Sequence, residues 1–493
     1  MKPRHFTRTL IASLTLLLCP QTWAGQQTWI TNVKLVSPEK LDRIEPGSVL
    51  IDDDRIVRVE RGGAGKAPQG ARAVDGQGGY LTPGLIDSHV HLIAVPGMSF
   101  EQADEMKVMA DAYFAQMPRS FLYYGYTTVI DLAAGRREFI NQVKQSPLHP
   151  DIYDCGAPLV FANGYPSSYA PPETRFEMFS NFIYDPAQAD KIPARYKPAD
   201  YTPAKGVARV KADGAICVKT HYEHGFGSQR NLPVMSPAVY ADVRKEASKQ
   251  SLVLVTHGNS FEAQTFAVNG GTDVLAHGMW NWGELNKEQE LPAAIKSLLD
   301  RIVERNIGFQ PTMQVLYGLR AYVDPGYLDN PALAKVLPPS MLAWLKTPEG
   351  NWFKHEVTDD ETDEVVRQGL EAPLRHQRQV VAYLASKNAN FLFGTDTPSS
   401  PTYGNVPGLN GYLEMQNLHN AGMSLAQIFK AATISNARAF KLEKDLGTIE
   451  AGKVANLVLM KTSPLADIRA YDSVQTVWVR GKPAARDSLA VGK

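Results

Sequence analysis

Apolar and polar positions change their rhythm along this chain, and the changes divide it. Between Trp29 and Leu81 they alternate in short runs, TWITNVKLV, GSVLIDDDRIVRVE and ARAVDGQGGYLTPG. Gly and Asp punctuate these runs, as expected of half-buried strands joined by turns. The same pattern returns near the other end in GTIEAGKVANLVLM and YDSVQTVWVRGK. Residues 25–82 and 443–493 are therefore expected to form one small β-sandwich built from both ends of the chain. From 83 to 442 the theme is a short apolar strand followed by helical sequence, the signature of βα units and a parallel sheet. Eight strands can be placed: LIDSHVHL, YTTVIDL, APLVFANG, GAICVKTH, LVLVTHG, DVLAHG, IGFQPTM and NFLFGTD. Eight such units predict an α/β fold of the (β/α)8 TIM-barrel type, in which the C-terminal strand ends and their loops build the active site.

Two connections are long, Asn163 to Asp213 and Gln314 to Ala389. They read equally as lids over the barrel mouth or as surface decoration. The start of the chain departs from the rest: Lys2, Arg4 and Arg8 precede an apolar run from Leu10 to Cys19, and Thr22-Trp23-Ala24 offers a cleavage site. Residues 1–24 read as a secretory signal peptide, implying export across an inner membrane to the periplasm. That run is too short to span a bilayer, and no later run reaches the roughly 20 residues a span needs.

Charge narrows the list of partners. With 51 Lys plus Arg against 51 Asp plus Glu, the formal net charge is zero, which removes the electrostatic case for nucleic acid or an anionic membrane surface. A small-molecule substrate is expected, with a homo-oligomer left open. Once the leader is removed, Cys155 and Cys217 remain. A chain of this size does not need a bridge to hold its core, so they are read as buried thiols.

Candidate chemistry gathers at the strand ends. His89 and His91 are two apart on a strand, so period-two geometry sends both side chains to one face, where a single metal ion could take both. His257 ends the fifth strand, His277 the sixth and Asp396 the eighth. Four histidines and an aspartate facing one barrel mouth point to a metal centre. Lys219 ends the fourth strand, where an ammonium would be repelled by a divalent ion. It reads either as an ion-pair lysine or, more sharply, as a carbamate formed with carbon dioxide, an anion whose two oxygens can bridge two metals. Beyond it, Tyr222 could hydrogen-bond a scissile carbonyl or substrate carboxylate, or simply pack, and His221 and His224 flank it. Arg136 and Arg137 could clamp a carboxylate or point to solvent.

The segments TPGLIDSHVHL, YGYTTVIDL, VLAHG, FGTDTP and GTIEAGKVANLVLM resemble the amidohydrolase superfamily, over nearly the whole mature chain. Within it the sequence looks most like the branch of imidazolonepropionase and the Xaa-Pro dipeptidases (prolidases). That resemblance implies two zinc ions, one held by His89, His91 and Asp396 and the other by His257 and His277. Carboxylated Lys219 and a hydroxide would bridge them. Asp396 would take the proton of the attacking hydroxide and return it to the leaving amine. Lys219 favours the dipeptidase side, since imidazolonepropionase lacks it, and His257-Gly258-Asn259-Ser260 lacks the His-x-x-Glu pattern of nucleobase deaminases. Asn456 stands where many relatives carry an aspartate, away from the expected metals. The expected activity is hydrolysis of a peptide-like C–N bond in a dipeptide or N-acyl amino acid. Two alternatives stay open: a lactone, carbamate or cyclic-amide hydrolase using the same centre, and a binding protein that keeps the barrel without catalysis.

Overall fold

The computed structural model describes residues 27–63, 65–227, 229–399 and 401–493, so the signal peptide expected over 1–24 lies outside the described residues. Four strands open the fold: β1 (Thr28–Ser37), β2 (Lys40–Asp52), β3 (Arg55–Arg61) and β4 (Arg72–Pro83). The barrel strands follow as β5 (Leu85–Val90), β6 (Tyr126–Asp131) and β7 (Asp151–Asp154). A short pair, β8 (Val160–Phe161) and β9 (Phe182–Ile183), follows, and β10 (Cys217–His221), β11 (Val253–His257), β12 (Val274–Ala276) and β13 (Gly308–Gln310) continue the barrel. β14 (Leu457–Met460), β15 (Val474–Val479) and β16 (Lys482–Ala485) close the chain.

The two ends of the sequence share one mixed sheet of order β16-β15-β14-β4-β1-β2-β3. Its join is antiparallel, with Leu457 opposite Pro83 and Met460 opposite Tyr80. The sheet also bends over itself, because the far strand β3 reaches the segment ahead of β14 through a bridge from Arg55 to Val454. Apolar alternation supplies the reason: Ile30, Val33, Leu35, Val49, Ile51, Ile56, Leu457, Leu459 and Trp478 turn inward and bury one another.

The barrel strands β5 and β6 are buried at every position, as parallel strands covered on both faces must be. β5, β6 and β7 form one parallel ladder and β10 to β13 another. Backbone bonds join them into a ring. Ile216 donates to the Asp154 carbonyl, Leu392 to Phe309, and Ser88 to Phe393. The eighth position, around Phe391 to Thr397, is held by isolated bridges to Phe309 and Val90 rather than by a continuous ladder. Helices pack outside, several with a sequence-legible start. Ser236 caps Pro237–Lys249 and Thr202 caps Pro203–Ala212, each with proline in its first turn, where the missing N–H costs nothing.

Two expectations are corrected here. The third barrel position begins with β7, ahead of the expected APLVFANG, in which Leu159 makes a parallel bridge to Thr220 of β10 and Val160–Phe161 forms β8 beside β9. Asp151-Ile152-Tyr153-Asp154 is short and polar, but both of its aspartates are buried and hydrogen-bonded, so its pattern misleads. Cys155 and Cys217 are a disulfide, 62 residues apart in sequence. Ring closure causes it, since the bond from Ile216 to Asp154 lays strand three beside strand four and brings the two Cα atoms to 4.4 Å. Both long connections carry helices of their own, Pro203–Ala212 in the first and Gln314–Arg320 and Pro339–Leu345 among those in the second. Among the described residues no helix is long and apolar enough to cross a membrane.

Candidate metal centre

The expected ligands arrive at the mouth from five strand ends, His89 and His91 sharing the first. His89 is the fifth of the six residues of β5 and is wholly buried. Its Nε2 lies 3.0 Å from Asp396 Oδ1, and His91 Nε2 lies 2.8 Å from the same oxygen. Strand alternation thus brings both imidazoles to one carboxylate, as their spacing predicts. His277, just past β12, places its ring 5.0 Å from that of His89 and 4.5 Å from that of His257. Lys219 is buried with Nζ 3.4 Å from His89 Nε2.

Two of these residues hold left-handed backbone, His277 at φ 84° and Asp396 at φ 58°. Such conformations cost an L-residue roughly 1–3 kcal/mol and persist where surrounding contacts enforce them. Here they do. Gly278 cannot carry a Cβ without meeting Gln377 and the Pro311 carbonyl, so the chain after His277 is clamped against its neighbours. Asp396 is held from both sides, its N–H donating to the His89 carbonyl and Asp87 accepting from the N–H and hydroxyl of Thr395.

Burial sets the protonation states. It pushes His89 down to about 3, with the charge of Lys219 adding to it, and pushes His277 well below the usual imidazole range. His257 is lowered by burial as well, although Glu223 opposes. For Asp396, burial alone would raise the carboxyl, but the imidazoles of His89 and His277 and the hydrogen bonds to His89 and His91 reverse this and hold it well below the usual range. Neutral imidazoles beside a carboxylate are the forms that bind metal. Among the described residues, one group has metal-holding proximity: His89, His277 and Asp396, whose ligand atoms all lie within 4.8 Å of one another. This group takes one histidine from each of the two expected sets, and His91 meets the same Asp396 oxygen at 2.8 Å.

Tyr222 stands apart. Its hydroxyl donates to Glu262 at 3.0 Å and its ring lies on Phe266. His224 hydrogen-bonds the Leu232 carbonyl, Arg137 pairs with Asp154, and Arg136 is exposed. Asn456 works at the far end of the barrel, donating to Asp151 and accepting from the Arg480 N–H.

The structure adds residues that the sequence reading passed over. Tyr165 lays its ring 4.7 Å from that of His257 and 5.7 Å from that of His221. Glu223 is buried, with Oε2 3.7 Å from His257 Nε2 and no hydrogen-bond partner. Asp87, raised by burial to about 7, ties Thr395 to the His89 N–H. Asp87 was visible within LIDSHVHL as a carboxylate two residues ahead of a ligand; nothing local marked Tyr165 or Glu223.

A family model for the amidohydrolase family matches residues 340–484, a span that contains Asp396 but none of the four histidines. No curated protein matches the chain. Among solved structures, an Xaa-Pro dipeptidase with bound methionine in its active site aligns with TM-score 0.64 and 20% identity, over 93% of this chain and all of the other. Phenylurea hydrolase B aligns with TM-score 0.64 and 20% identity, over 94% and 98%. Ochratoxinase from A. niger aligns with TM-score 0.64 and 19% identity, over 94% and 96%. The chain therefore shares the fold of these solved structures along almost its full length, with the match to the amidohydrolase family model confined to its last third.

Proposed function

We propose that this chain is a metal-dependent hydrolase that cleaves a peptide-like C–N bond in a small substrate, a dipeptide or N-acyl amino acid. One observation carries the reading: His89, His277 and Asp396 converge within 4.8 Å at the C-terminal mouth of a barrel, in the protonation states a metal needs. The residues fit a divalent ion, and zinc suits a set of imidazole and carboxylate donors. His91, beside Asp396, and His257, beside His277, extend the set toward a second ion. Lys219 supports that extension, because burial lowers its amine to about 8 and so raises the fraction of neutral amine able to add to carbon dioxide. The amine nitrogen would bond the carbon and release a proton, leaving a carbamate where a cation stood.

When bound, the metal supplies a hydroxide at neutral pH and polarises the substrate carbonyl. Asp396 would orient the attacking oxygen, take its proton and hand that proton to the leaving nitrogen. Likeness to an Xaa-Pro dipeptidase favours a dipeptide, whereas likeness to a phenylurea hydrolase shows how far substrate choice ranges on this fold. The disulfide favours an oxidising compartment and supports export.

The test is to purify the protein, measure bound metal, and assay Xaa-Pro dipeptides, N-acyl amino acids and lactones before and after chelation. Dipeptide turnover lost on chelation and restored by zinc is expected. Full turnover by metal-free protein, or turnover of lactones alone, would overturn the reading.

A further inference from the structure

Glu223 is the residue of the mouth that the proposed chemistry does not use. It lies two residues beyond the end of β10, is 8% exposed, and its Oε2 has no hydrogen-bond partner. A buried carboxylate oxygen left unpaired costs more than an ordinary lost hydrogen bond, and a ligand that pairs with it removes that cost. His257 Nε2, 3.7 Å from this oxygen, lies beyond hydrogen-bond reach and belongs to the ligand cluster. Aromatic rings wall the same space. Tyr165 stands over His257, Phe226 meets Tyr165 with centroids 5.6 Å apart, and Trp280 lies beyond Phe226 at 5.9 Å. The wall is pinned across two loops by Tyr169, whose hydroxyl accepts from the Phe226 N–H and donates to its carbonyl. After burial, the charges of Asp396 and Glu223 push the Tyr165 hydroxyl up.

We propose that Glu223 and the rings of Tyr165 and Phe226 form a subsite for the cationic amine of the substrate, the free α-ammonium of a dipeptide, next to the metal cluster. This rests on the reading of the chain as a C–N hydrolase and narrows it. An ammonium brings three donors to an oxygen that lacks one, and aromatic faces attract a cation they partly desolvate. The spacing agrees. In a dipeptide the α-nitrogen is two bonds, roughly 2.5 Å, from the scissile carbonyl carbon. A carbonyl held at the histidine cluster therefore leaves the ammonium within reach of a carboxylate adjoining His257. N-acyl amino acids and lactones carry no cation at that point and leave Glu223 unpaired.

The experiment compares L-alanyl-L-proline with its N-acetyl counterpart in wild type, Glu223→Gln and Glu223→Asp, with metal content and thermal unfolding measured for each. Calorimetric binding of L-alaninamide and N-acetyl-L-alaninamide runs alongside. Glu223→Gln is expected to lower the ratio of kcat/KM between the free-amino and acetylated substrates at least tenfold, mostly through KM, and to weaken L-alaninamide binding. Glu223→Asp, which keeps the charge, should recover part of both. Equal loss on the two substrates, or loss of metal, would show that Glu223 merely positions His257 and would overturn the proposal. An unchanged ratio would overturn it while leaving C–N hydrolysis intact. If wild type cleaves neither substrate the parent reading fails, and the amine-binding comparison still decides the subsite: equal affinity in wild type and Glu223→Gln rejects it.

Discussion

The two ends of the barrel solve opposite problems. At the far end Asp151 accepts from Asn456 and from Arg480, Arg480 also reaches Asp54, and Asp445 pairs with Arg55, so side chains of the barrel and of the terminal sheet meet in a paired network. At the mouth the buried groups are incompletely paired. His89 Nδ1, His221 Nδ1 and Glu223 Oε2 have no hydrogen-bond partner, and His277 and Asp396 hold strained backbone. Unpaired buried atoms and left-handed backbone occur in the terminal sheet too, at Trp478 Nε1 and Arg480, so what sets the mouth apart is that its unpaired atoms lie on imidazoles and a carboxylate, groups able to take a ligand. The contrast places stability at one end of the strands and chemistry at the other.

Breaking the mouth should cost activity without costing the fold. For Asp396→Asn we expect kcat/KM to fall by about 10^2 to 10^4-fold, as for loss of a positioned proton-transfer group. Metal content should drop, and with both proteins stripped of metal the thermal midpoint should not fall. Turnover within a fewfold of wild type would remove Asp396 from the chemistry. Lys219→Met should lower activity by about a hundredfold and reduce bound metal. Isotope-labelled bicarbonate should give a carbamate resonance in wild type that this variant lacks; a variant with wild-type metal content and rate would leave Lys219 as a structural amine.

The far end should respond in the opposite sense. Arg480→Met removes a partner from buried Asp151 and should destabilise the protein by about 1–3 kcal/mol in denaturant titrations. Its kcat/KM should stay within twofold, and a large activity loss would break the division of labour between the ends. The smallest effect concerns Glu414, on the helix Leu409–Asn420 and behind the mouth, which accepts from the N–H groups of Met313 and Gln314. Burial raises its carboxyl from 4.5 to about 8, so the folded chain holds a proton that the unfolded chain releases. Its stabilising contribution is therefore complete below 4.5 and is lost as pH rises through 8. Wild type should lose denaturation midpoint across this window more steeply than Glu414→Gln, and parallel slopes would assign the proton elsewhere.

Much of the centre was legible because strand alternation and strand ends are local properties. His89 and His91 share a face for that reason, and His257, His277 and Asp396 terminate runs whose apolar character announces a buried parallel strand. Polar content hid β7, whose aspartates are stabilised by Arg137 and by Asn456 from far along the sequence, so the third position was read only from the apolar APLVFANG that follows it. Tyr222 stood out because it follows Lys219 closely, yet it is Tyr165 that lies over the histidines. The β8–β9 pair and the loop around the Tyr165 position fix that exchange, and neither has a sequence signature.

By itself the sequence determined the alternation of strands and helices, the barrel they imply, the terminal sheet, and the histidines, lysine and aspartate set at the strand ends. Periodicity of two or 3.6 acts within a few residues and survives any tertiary arrangement. Only the closed ring decided that Cys155 meets Cys217, that His277 joins His89 and Asp396, and that Glu223 is buried without a partner among aromatic rings. Those contacts join residues tens to hundreds of positions apart, where proximity is set by the curvature and closure of the sheet and no local pattern carries the information.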